Sequence, residues 1–375
     1  MLAVLTAGMA LSALAGTYTN PIIPGDMPDP GVINVAGTFY VVTTSDSIKD
    51  TTHPDSSNAT TARTLFPIHS STDLGTWTLA AHVFPHGPPA WASADFWAAE
   101  IHSMVDGSFV VYYTARDHDN RLSIGAATGA TPVGPFADIG EPLARDSVEG
   151  GGMYLDAHYF YDRETESAHL VWKRGTVTPP AETFTVLYMQ QLDPSGTKLV
   201  GQRHIILEND LASWEKGVVE APWIVKPPRS EFYYLFYSAA DCCYGTGTYA
   251  VGVARARAVT GPYEKYSKNP ILRSNSGGPN GGSGGFSGTG HCSVLPGPVD
   301  RAQWLIFYHG FTLPKTSGDR SLLMDTLYFD EQEAAAVNGT HADTGGGHAG
   351  VGWPHVATGT GSPSNGPQPL PPTAP

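Results

Sequence analysis

Apolar and aromatic residues recur along this chain in runs of five to seven, and Gly, Pro, Asn and Asp separate the runs. The strongest runs are "FYVVTT" (39–44), "FVVYYTA" (109–115), "HLVWK" (169–173), "FYYLFYS" (232–238) and "WLIFYHG" (304–310). Such runs between turn residues are typical of buried strands. No long segment has the 3.6-residue period of an amphipathic helix. The pattern therefore predicts an all-β protein.

A shorter strand-like segment precedes each run and contains one polar residue. These residues are Asp29, Glu100, Asp156, Glu220 and His291, and the gaps between them are 71, 56, 64 and 71 residues. A weak repeat of long period is typical of propellers and solenoids. Five units of about four strands each predict a single-domain, five-bladed β-propeller whose blades line the axis with their first strands. The five polar residues are then expected to converge at the axis.

Composition restricts the class of partner. The chain has 21 Lys and Arg against 35 Asp and Glu, a formal charge of −14, in 375 residues. This charge repels phosphate backbones and anionic membranes, so we expect no nucleic acid and no membrane partner. A neutral substrate fits the charge better. A chain of this length can bury a sufficient core without a disulfide framework.

The two ends of the chain differ from the rest. Residues 1–15 are apolar and end in Ala-Leu-Ala, which predicts a signal peptide and a secreted, extracellular protein. The propeller is expected over residues 16–337. Residues 338–375 are rich in Gly, Pro, Ser and Thr and are expected to form a linker-like, partly disordered tail. Glycosylation sequons at Asn58 and Asn338 agree with secretion.

The chain has three cysteines, so at least one is unpaired within it. Adjacent Cys242 and Cys243 could form a vicinal disulfide, or could remain two thiols on opposite faces of a strand. In an oxidising compartment we expect the disulfide, with Cys292 as a buried free thiol.

The segment "PGDMPDPG" (24–31) places two carboxylates among rigid turn residues directly before a strand. A turn aspartate can simply bond to its own backbone. Carboxylates gathered at one axis, however, repel one another and shift one another's pKa. Such crowding is more typical of a functional site than of a structural one, so we interpret Asp29 as a member of a site.

Five segments resemble motifs of glycoside hydrolase family 43, the arabinanase and xylosidase propellers. They are "NPIIPGDMPDPGVI", "FWAAEIH", "LDAHYF", "VEAPWI" and "GTGHCSV", and they extend the resemblance from about residue 20 to about residue 330. Ala99, Ala157 and Ala221 depart from the usual motif neighbours, while the carboxylates are intact. The departures weaken any transfer of one subfamily's substrate preference.

The resemblance implies roles for three carboxylates. Asp29 would be the general base that activates water, and Glu220 the general acid that protonates the leaving oxygen. Asp156 would tune the pKa of the acid and orient it. Glycoside hydrolysis requires such a pair of one protonated and one ionised carboxyl. The resemblance further implies inversion of configuration.

Four more residues are candidates for substrate binding. Trp97 would stack on a sugar face, Glu100 would bond to sugar hydroxyls, and Arg320 would reach the sugar from blade five. His291 would contact the substrate or hold a metal ion or its water. The alternatives are a core indole for Trp97, a satisfied buried histidine for His291 and a surface salt bridge for Arg320. No cofactor is required, although a structural Ca²⁺ ion on the propeller axis is conceivable.

The predicted function is hydrolysis of arabinose- or xylose-containing polysaccharide by a monomer. An exo-acting α-L-arabinofuranosidase is our first choice, since inserts at 45–64 and 275–290 could wall off one end of the cleft. β-Xylosidase and endo-1,5-α-L-arabinanase activities are alternatives on the same site. A non-catalytic carbohydrate-binding propeller is the alternative of another class, but it has no need of an acid and a base.

Overall fold

The computed structural model of the chain describes residues 16–45, 64–146, 152–175, 184–228, 230–243, 247–275, 284–298, 303–314, 318–329 and 352–371. The predicted signal peptide and both sequons lie outside these residues. The described part of the chain contains 23 β-strands and no α-helix. It accordingly offers no helix long and apolar enough to cross a membrane.

Five antiparallel sheets follow one another along the chain, which confirms the predicted all-β, five-bladed propeller. Blade one comprises β2 (Gly31–Val35), β3 (Thr38–Val42), β4 (Leu65–Ser71) and β5 (Thr78–Phe84). Blade two comprises β6 (Ala92–Ser103), β7 (Phe109–Asp117), β8 (Leu122–Gly129) and β9 (Phe136–Asp138). Blade three comprises β10 (Met153–Asp162), β11 (Ser167–Gly175), β12 (Thr185–Leu192) and β13 (Leu199–Glu208).

Blade four comprises β14 (Val219–Val225), β15 (Tyr233–Ala239), β16 (Ala250–Ala256) and β17 (Glu264–Lys265), and β18 (Leu272–Arg273) also pairs with β16. Blade five comprises β19 (Phe286–Pro296), β20 (Gln303–Thr312), β21 (Ser321–Phe329) and β22 (Pro354–Val356). A separate pair joins β1 (Thr17–Tyr18) to β23 (Gln368–Pro369).

The apolar runs of the sequence are the second strands of the five blades. Each blade packs on both faces, so these strands are buried on both sides; every residue of β15 is buried. Five apolar clusters fill the spaces between neighbouring blades. The cluster between blades five and one contains Phe39 and Phe307 and closes the ring.

The C-terminal segment differs from the expected tail. Residues 354–356 form the outer strand of blade five, and residues 368–369 pair with the strand at 17–18. The side chain of Asn20 also donates to Ser364 Oγ at 3.0 Å. The predicted domain boundary at residue 337 is therefore too early for the described residues 352–371. Their Gly- and Pro-rich composition resembles a linker, but Trp353 and Val356 are buried in the apolar cluster between blades four and five and anchor the segment.

A buried carboxyl links this segment to the fifth blade. Asp325 is 2% exposed, and its Oδ2 accepts hydrogen bonds from the hydroxyl of Tyr308 and the backbone N–H of Ser364. Burial raises the pKa of Asp325 to about 6, although these hydrogen bonds favour its charged form. Because the folded state disfavours the ionised carboxyl, folding stability falls as pH rises from about 4 to about 6.

Replacing Asp325 by asparagine should remove this pH dependence. Between about pH 4 and about pH 7, the free energy of unfolding should fall less for the variant than for the wild type. The difference should be on the order of 2 kcal/mol at most. Thermal unfolding across that range measures the difference. Asp138→Asn is the matched control, because it alters another Tyr–Asp hydrogen bond at a half-buried position. Parallel curves for wild type and Asp325→Asn would contradict the expectation.

Candidate active site

A two-residue bulge interrupts the first strand of blades two to five. The first bulge residue has a positive φ in each case: Ala98 (47°), Asp156 (59°), Ala221 (49°) and His291 (51°). Asp29, directly before β2, has the same conformation at 56°. Non-glycine residues rarely adopt a positive φ, and bulges typically re-aim side chains at functional sites. The four bulges, together with the turn before β2, therefore re-aim side chains at five equivalent positions around the axis.

These bulges correct the register that the polar residues suggested. Asp29, Asp156 and His291 occupy equivalent positions, as expected. Glu220 instead lies directly before its bulge, where blade two has Trp97, and Glu100 lies directly after the bulge of its blade. Matching residues by polarity alone gave the wrong register for Glu100 and Glu220, because a bulge shifts the alternation of side chains.

The second strands supply a ring of buried side chains that holds the bulges. At equivalent positions near their ends lie Thr44, Thr114, Lys173, Ser238 and His309. Four of them accept the bulge N–H of the next blade: Thr44 from Ala98 (2.8 Å), Thr114 from Asp156 (3.2 Å), Ser238 from His291 (2.8 Å) and His309 from Asp29 (3.1 Å). This ring explains how residues far apart in sequence reach fixed positions around one axis.

Asp29 lies in a buried, positively charged environment. Its Oδ2 accepts a hydrogen bond from Thr44 Oγ1 at 2.6 Å, and its Oδ1 accepts one from Arg320 Nη1 at 3.0 Å. The Nδ1 atom of His291 lies 3.3 Å from the same Oδ1. Burial by itself would raise the pKa of Asp29, but the charge of Arg320 and the neighbouring imidazoles hold it well below its usual value. Asp29 is therefore an ionised carboxylate.

The opening turn is fixed by the same arginine. The backbone N–H of Arg320 donates to Asp26 Oδ1 at 3.3 Å, and the N–H of Met27 donates to the carbonyl of Arg320 at 2.8 Å. Both carboxylates of the 24–31 segment thus contact one residue of blade five. Arg320 is buried, so the alternative of a surface salt bridge is wrong. Its contact with a sugar stays a prediction.

Asp156 and Glu220 occupy a different electrostatic environment. Asp156 Oδ2 accepts the N–H of Ala221 at 3.0 Å, and Glu220 Oε2 accepts a hydrogen bond from Lys173 Nζ at 2.9 Å. Burial, and then the charges of Glu220 and Asp29, raise the pKa of Asp156 well above its usual value. The site therefore shifts the pKa of Asp29 and the pKa of Asp156 in opposite directions.

Lys173 is a member of the site that the sequence interpretation missed. The signal was present: the run "HLVWK" ends in Lys where the other four runs place Thr, Thr, Ser and His. Only an alignment of the second strands, rather than of the first, would have identified it.

Glu100 contacts two imidazoles. Its Oε2 lies 2.8 Å from His102 Nε2 and 2.9 Å from His158 Nδ1, and three such donors at this spacing could hold a metal ion. However, His158 Nε2 accepts the N–H of Ile224 at 3.0 Å, and burial lowers the pKa of His158 to about 3. Neutral His158 therefore carries its proton on Nδ1 and donates it to Glu100. Hydrogen bonds satisfy this cluster, and they do not support the predicted contact of Glu100 with sugar hydroxyls.

The predicted calcium ion at His291 finds a poor donor set. Calcium prefers six to eight oxygen ligands. His291 offers a nitrogen, and the carboxylate beside it, Asp29, is already bound by Arg320. The described residues around His291 therefore do not provide the set of protein oxygen ligands that calcium prefers. Calcium binding at this position is untested and stays a prediction.

Trp97 lies directly before the bulge of blade two. It is half-buried and belongs to none of the five apolar clusters of the described residues, so the alternative of a core indole is not supported. The next residue, Ala98, is bonded through Thr44 to Asp29. Stacking of this indole on a sugar face stays a prediction.

The cysteines follow the predicted pairing. Cys242 and Cys243 form a vicinal disulfide shortly after β15, and Cys292 is a buried free thiol. Burial raises the pKa of Cys292, which makes this thiol unreactive.

Comparison with known proteins agrees with this geometry. The sequence profile of Glycosyl hydrolases family 43 matches residues 18–334. The chain belongs to glycosyl hydrolase family 43. Within this family, the crystal structure of a thermostable family-43 glycoside hydrolase is 27% identical, covers 96% of this chain and 100% of its own, and superposes with a TM-score of 0.74.

Characterised family-43 relatives differ in their named activities. A xylan 1,3-β-xylosidase from a Vibrio species is 27% identical over 69% of this chain and 44% of its own length. An extracellular endo-α-(1→5)-L-arabinanase of Bacillus subtilis is 25% identical over 65% of this chain and 51% of its own length. A non-reducing-end α-L-arabinofuranosidase of Bacteroides ovatus is 26% identical over 68% and 42%, respectively. The chain spans about half the length of these relatives.

Proposed function

We propose that this protein is a secreted, inverting glycoside hydrolase that releases terminal α-L-arabinofuranosyl residues from arabinose- or xylose-containing plant polysaccharide. The observation that carries the proposal is the contrast between two carboxyls of one buried site. Asp29 is kept ionised beside Arg320, whereas Asp156, next to Glu220, has a raised pKa. Glycoside hydrolysis requires one ionised carboxylate and one protonated carboxyl. Asp29 supplies the first, and the mutual repulsion of Asp156 and Glu220 favours retention of the proton that Glu220 would donate.

The proposed mechanism is a single displacement. Asp29 accepts a proton from water as the water attacks the anomeric carbon, and Glu220 donates its proton to the departing glycosidic oxygen. Asp156 accepts a hydrogen bond from the N–H of Ala221, the residue after Glu220, and thereby orients the acid. Trp97 packs on the sugar ring. The net charge of −14 agrees with a neutral substrate.

The exo-acting mode is supported by the positions of two inserts. One begins directly after Thr44 and Ser45, and Thr44 is bonded to Asp29. The other leads into β19, the strand that carries His291. Both inserts are therefore joined to segments that carry residues of the site. The segments 46–63 and 276–283 themselves lie outside the described residues.

An activity panel tests the substrate. We expect hydrolysis of 4-nitrophenyl α-L-arabinofuranoside and release of arabinose from arabino-oligosaccharides, without an early fall in the viscosity of arabinan. An early fall in viscosity would identify an endo-arabinanase, and activity confined to the β-D-xyloside would identify a xylosidase, as the Vibrio relative's name suggests. Absence of hydrolysis on every substrate, together with polysaccharide binding, would favour the non-catalytic alternative.

The stereochemical course is a separate prediction. An inverting site keeps its two carboxyls roughly 6.5–9.5 Å apart, which leaves room for water, whereas a retaining site keeps them about 5–5.5 Å apart. Asp29 and Glu220 lie in blades one and four, which favours the wider gap. Proton NMR of the first-formed sugar should therefore show the anomer opposite to that of the substrate. First appearance of the retained anomer would instead make Asp29 a nucleophile.

A further inference from the structure

Lys173 breaks a rule that the other four blades follow. At this position a hydroxyl or an imidazole nitrogen accepts the bulge N–H of the next blade. A lysine ammonium has three donors and no acceptor, so it cannot take the N–H of Ala221. That N–H is bonded to Asp156 Oδ2 instead, and the Lys173 ammonium is bonded to Glu220 Oε2. The presence of lysine at this ring position, in place of a hydroxyl or an imidazole, thus accounts for the contacts of both Asp156 and Glu220.

The contact between Lys173 and Glu220 is deeply buried. The side chains of Lys173 and Glu220 are 4% and 10% exposed. Among the titratable groups around Glu220, the carboxyls of Asp156 of β10 and Asp29 belong to the same electrostatically interacting group and share its negative charge. The phenol of Tyr249, before β16, hydrogen-bonds to Glu220, and burial keeps this phenol neutral by raising its pKa. His291 of β19 lies against Asp29, with its Nδ1 atom 3.3 Å from Oδ1 of that carboxylate.

We propose that Lys173 is a positioning residue whose ammonium orients Oε2 of Glu220 and offsets the negative charge that Asp156 and Asp29 impose on this carboxyl. The inference rests on the proposed role of Glu220 as the general acid. When Glu220 gives its proton to the glycosidic oxygen, negative charge develops on its carboxylate. A fixed cation at 2.9 Å stabilises that charge as it forms. Lys173 thereby strengthens the acid without contacting the substrate.

The Lys173→Thr variant tests the proposal, because threonine occupies this ring position in blades one and two and can accept the N–H of Ala221. Removing the ammonium makes the ionised form of Glu220 less favourable. The alkaline limb of the kcat/KM profile on an unactivated oligosaccharide should therefore move to higher pH by at least about one unit. Turnover should also fall more on this substrate than on a 2,4-dinitrophenyl glycoside, which needs no protonation. Lys173→Met, which keeps the apolar stem, provides a second neutral variant should the threonine variant fold poorly.

Lys265→Met is the matched control. Lys265 Nζ lies 2.6 Å from Glu215 Oε2, so this variant breaks another ion pair to a buried glutamate, outside the site. Lys265→Met should change the melting temperature and leave the pH dependence of kcat/KM unchanged. A folded Lys173 variant with the wild-type alkaline limb would overturn the inference about Lys173. Full activity of Glu220→Gln on the unactivated substrate would instead overturn the acid assignment, so the two failures are distinguishable.

Discussion

Replacing Glu220 by glutamine should lower kcat on an unactivated arabino-oligosaccharide by about 10²–10⁴-fold. Glutamine keeps the shape of the side chain and an acceptor for Lys173, but it has no proton to give to the leaving oxygen. On a 2,4-dinitrophenyl glycoside the loss should be much smaller, because that leaving group departs as a stable anion. The ratio of the two losses, measured in steady-state kinetics, isolates the proton-donating role.

The chain offers a close control for this variant. Glu215 is buried, accepts a hydrogen bond from Tyr237 at 2.6 Å and pairs with Lys265. Glu220 has the same kinds of partner in Lys173 and Tyr249. Glu215→Gln should therefore reproduce the structural cost of losing a buried Lys–Glu pair without the loss of turnover. If Glu220→Gln lowers kcat equally on the oligosaccharide and on the dinitrophenyl glycoside, the assignment of Glu220 as the general acid is wrong.

The fold could be predicted from the sequence because two signals were independent. The apolar runs identified the second strands of all five blades, and the polar residues before them gave the blade period. Strands buried on both faces produce such runs whatever their neighbours are. The convergence of Asp29, Asp156 and Glu220 followed from the propeller alone.

Two features of the site and one of the fold needed coordinates. The bulges shifted the register by one residue at Glu220 and by two at Glu100, and no residue type marks a bulge uniquely. The ion pair of Arg320 with Asp29 joins residues 291 positions apart, so its burial could not be inferred locally. Residues 352–371 join the propeller through backbone pairing and through the burial of Trp353 and Val356 in an apolar cluster, and the Gly- and Pro-rich composition of the segment conceals these few anchoring residues.

Asp29→Asn should give a loss of comparable size but of a different kind. Water must be deprotonated whichever leaving group departs, so kcat should fall by about 10²–10⁴-fold on the dinitrophenyl glycoside and on the oligosaccharide alike. Independence from the leaving group distinguishes the base from the acid. Substantial turnover of the dinitrophenyl substrate by Asp29→Asn would contradict the assignment of Asp29.

The same variant should also change stability, and the sign of its pH dependence follows from the charge pair. Because Arg320 and the neighbouring imidazoles hold the pKa of Asp29 well below its usual value, the ionised carboxylate stabilises the folded state above about pH 4. This contribution is lost as pH falls further, toward the depressed pKa of the folded state.

Asp29→Asn leaves the buried Arg320 without its counterion, which should cost on the order of a few kcal/mol near neutral pH. The deficit relative to wild type should shrink on acidification, so unfolding measured at about pH 3 and about pH 7 decides the matter. A deficit of equal size at both pH values would show that the pair with Arg320 does not hold Asp29 in its charged form.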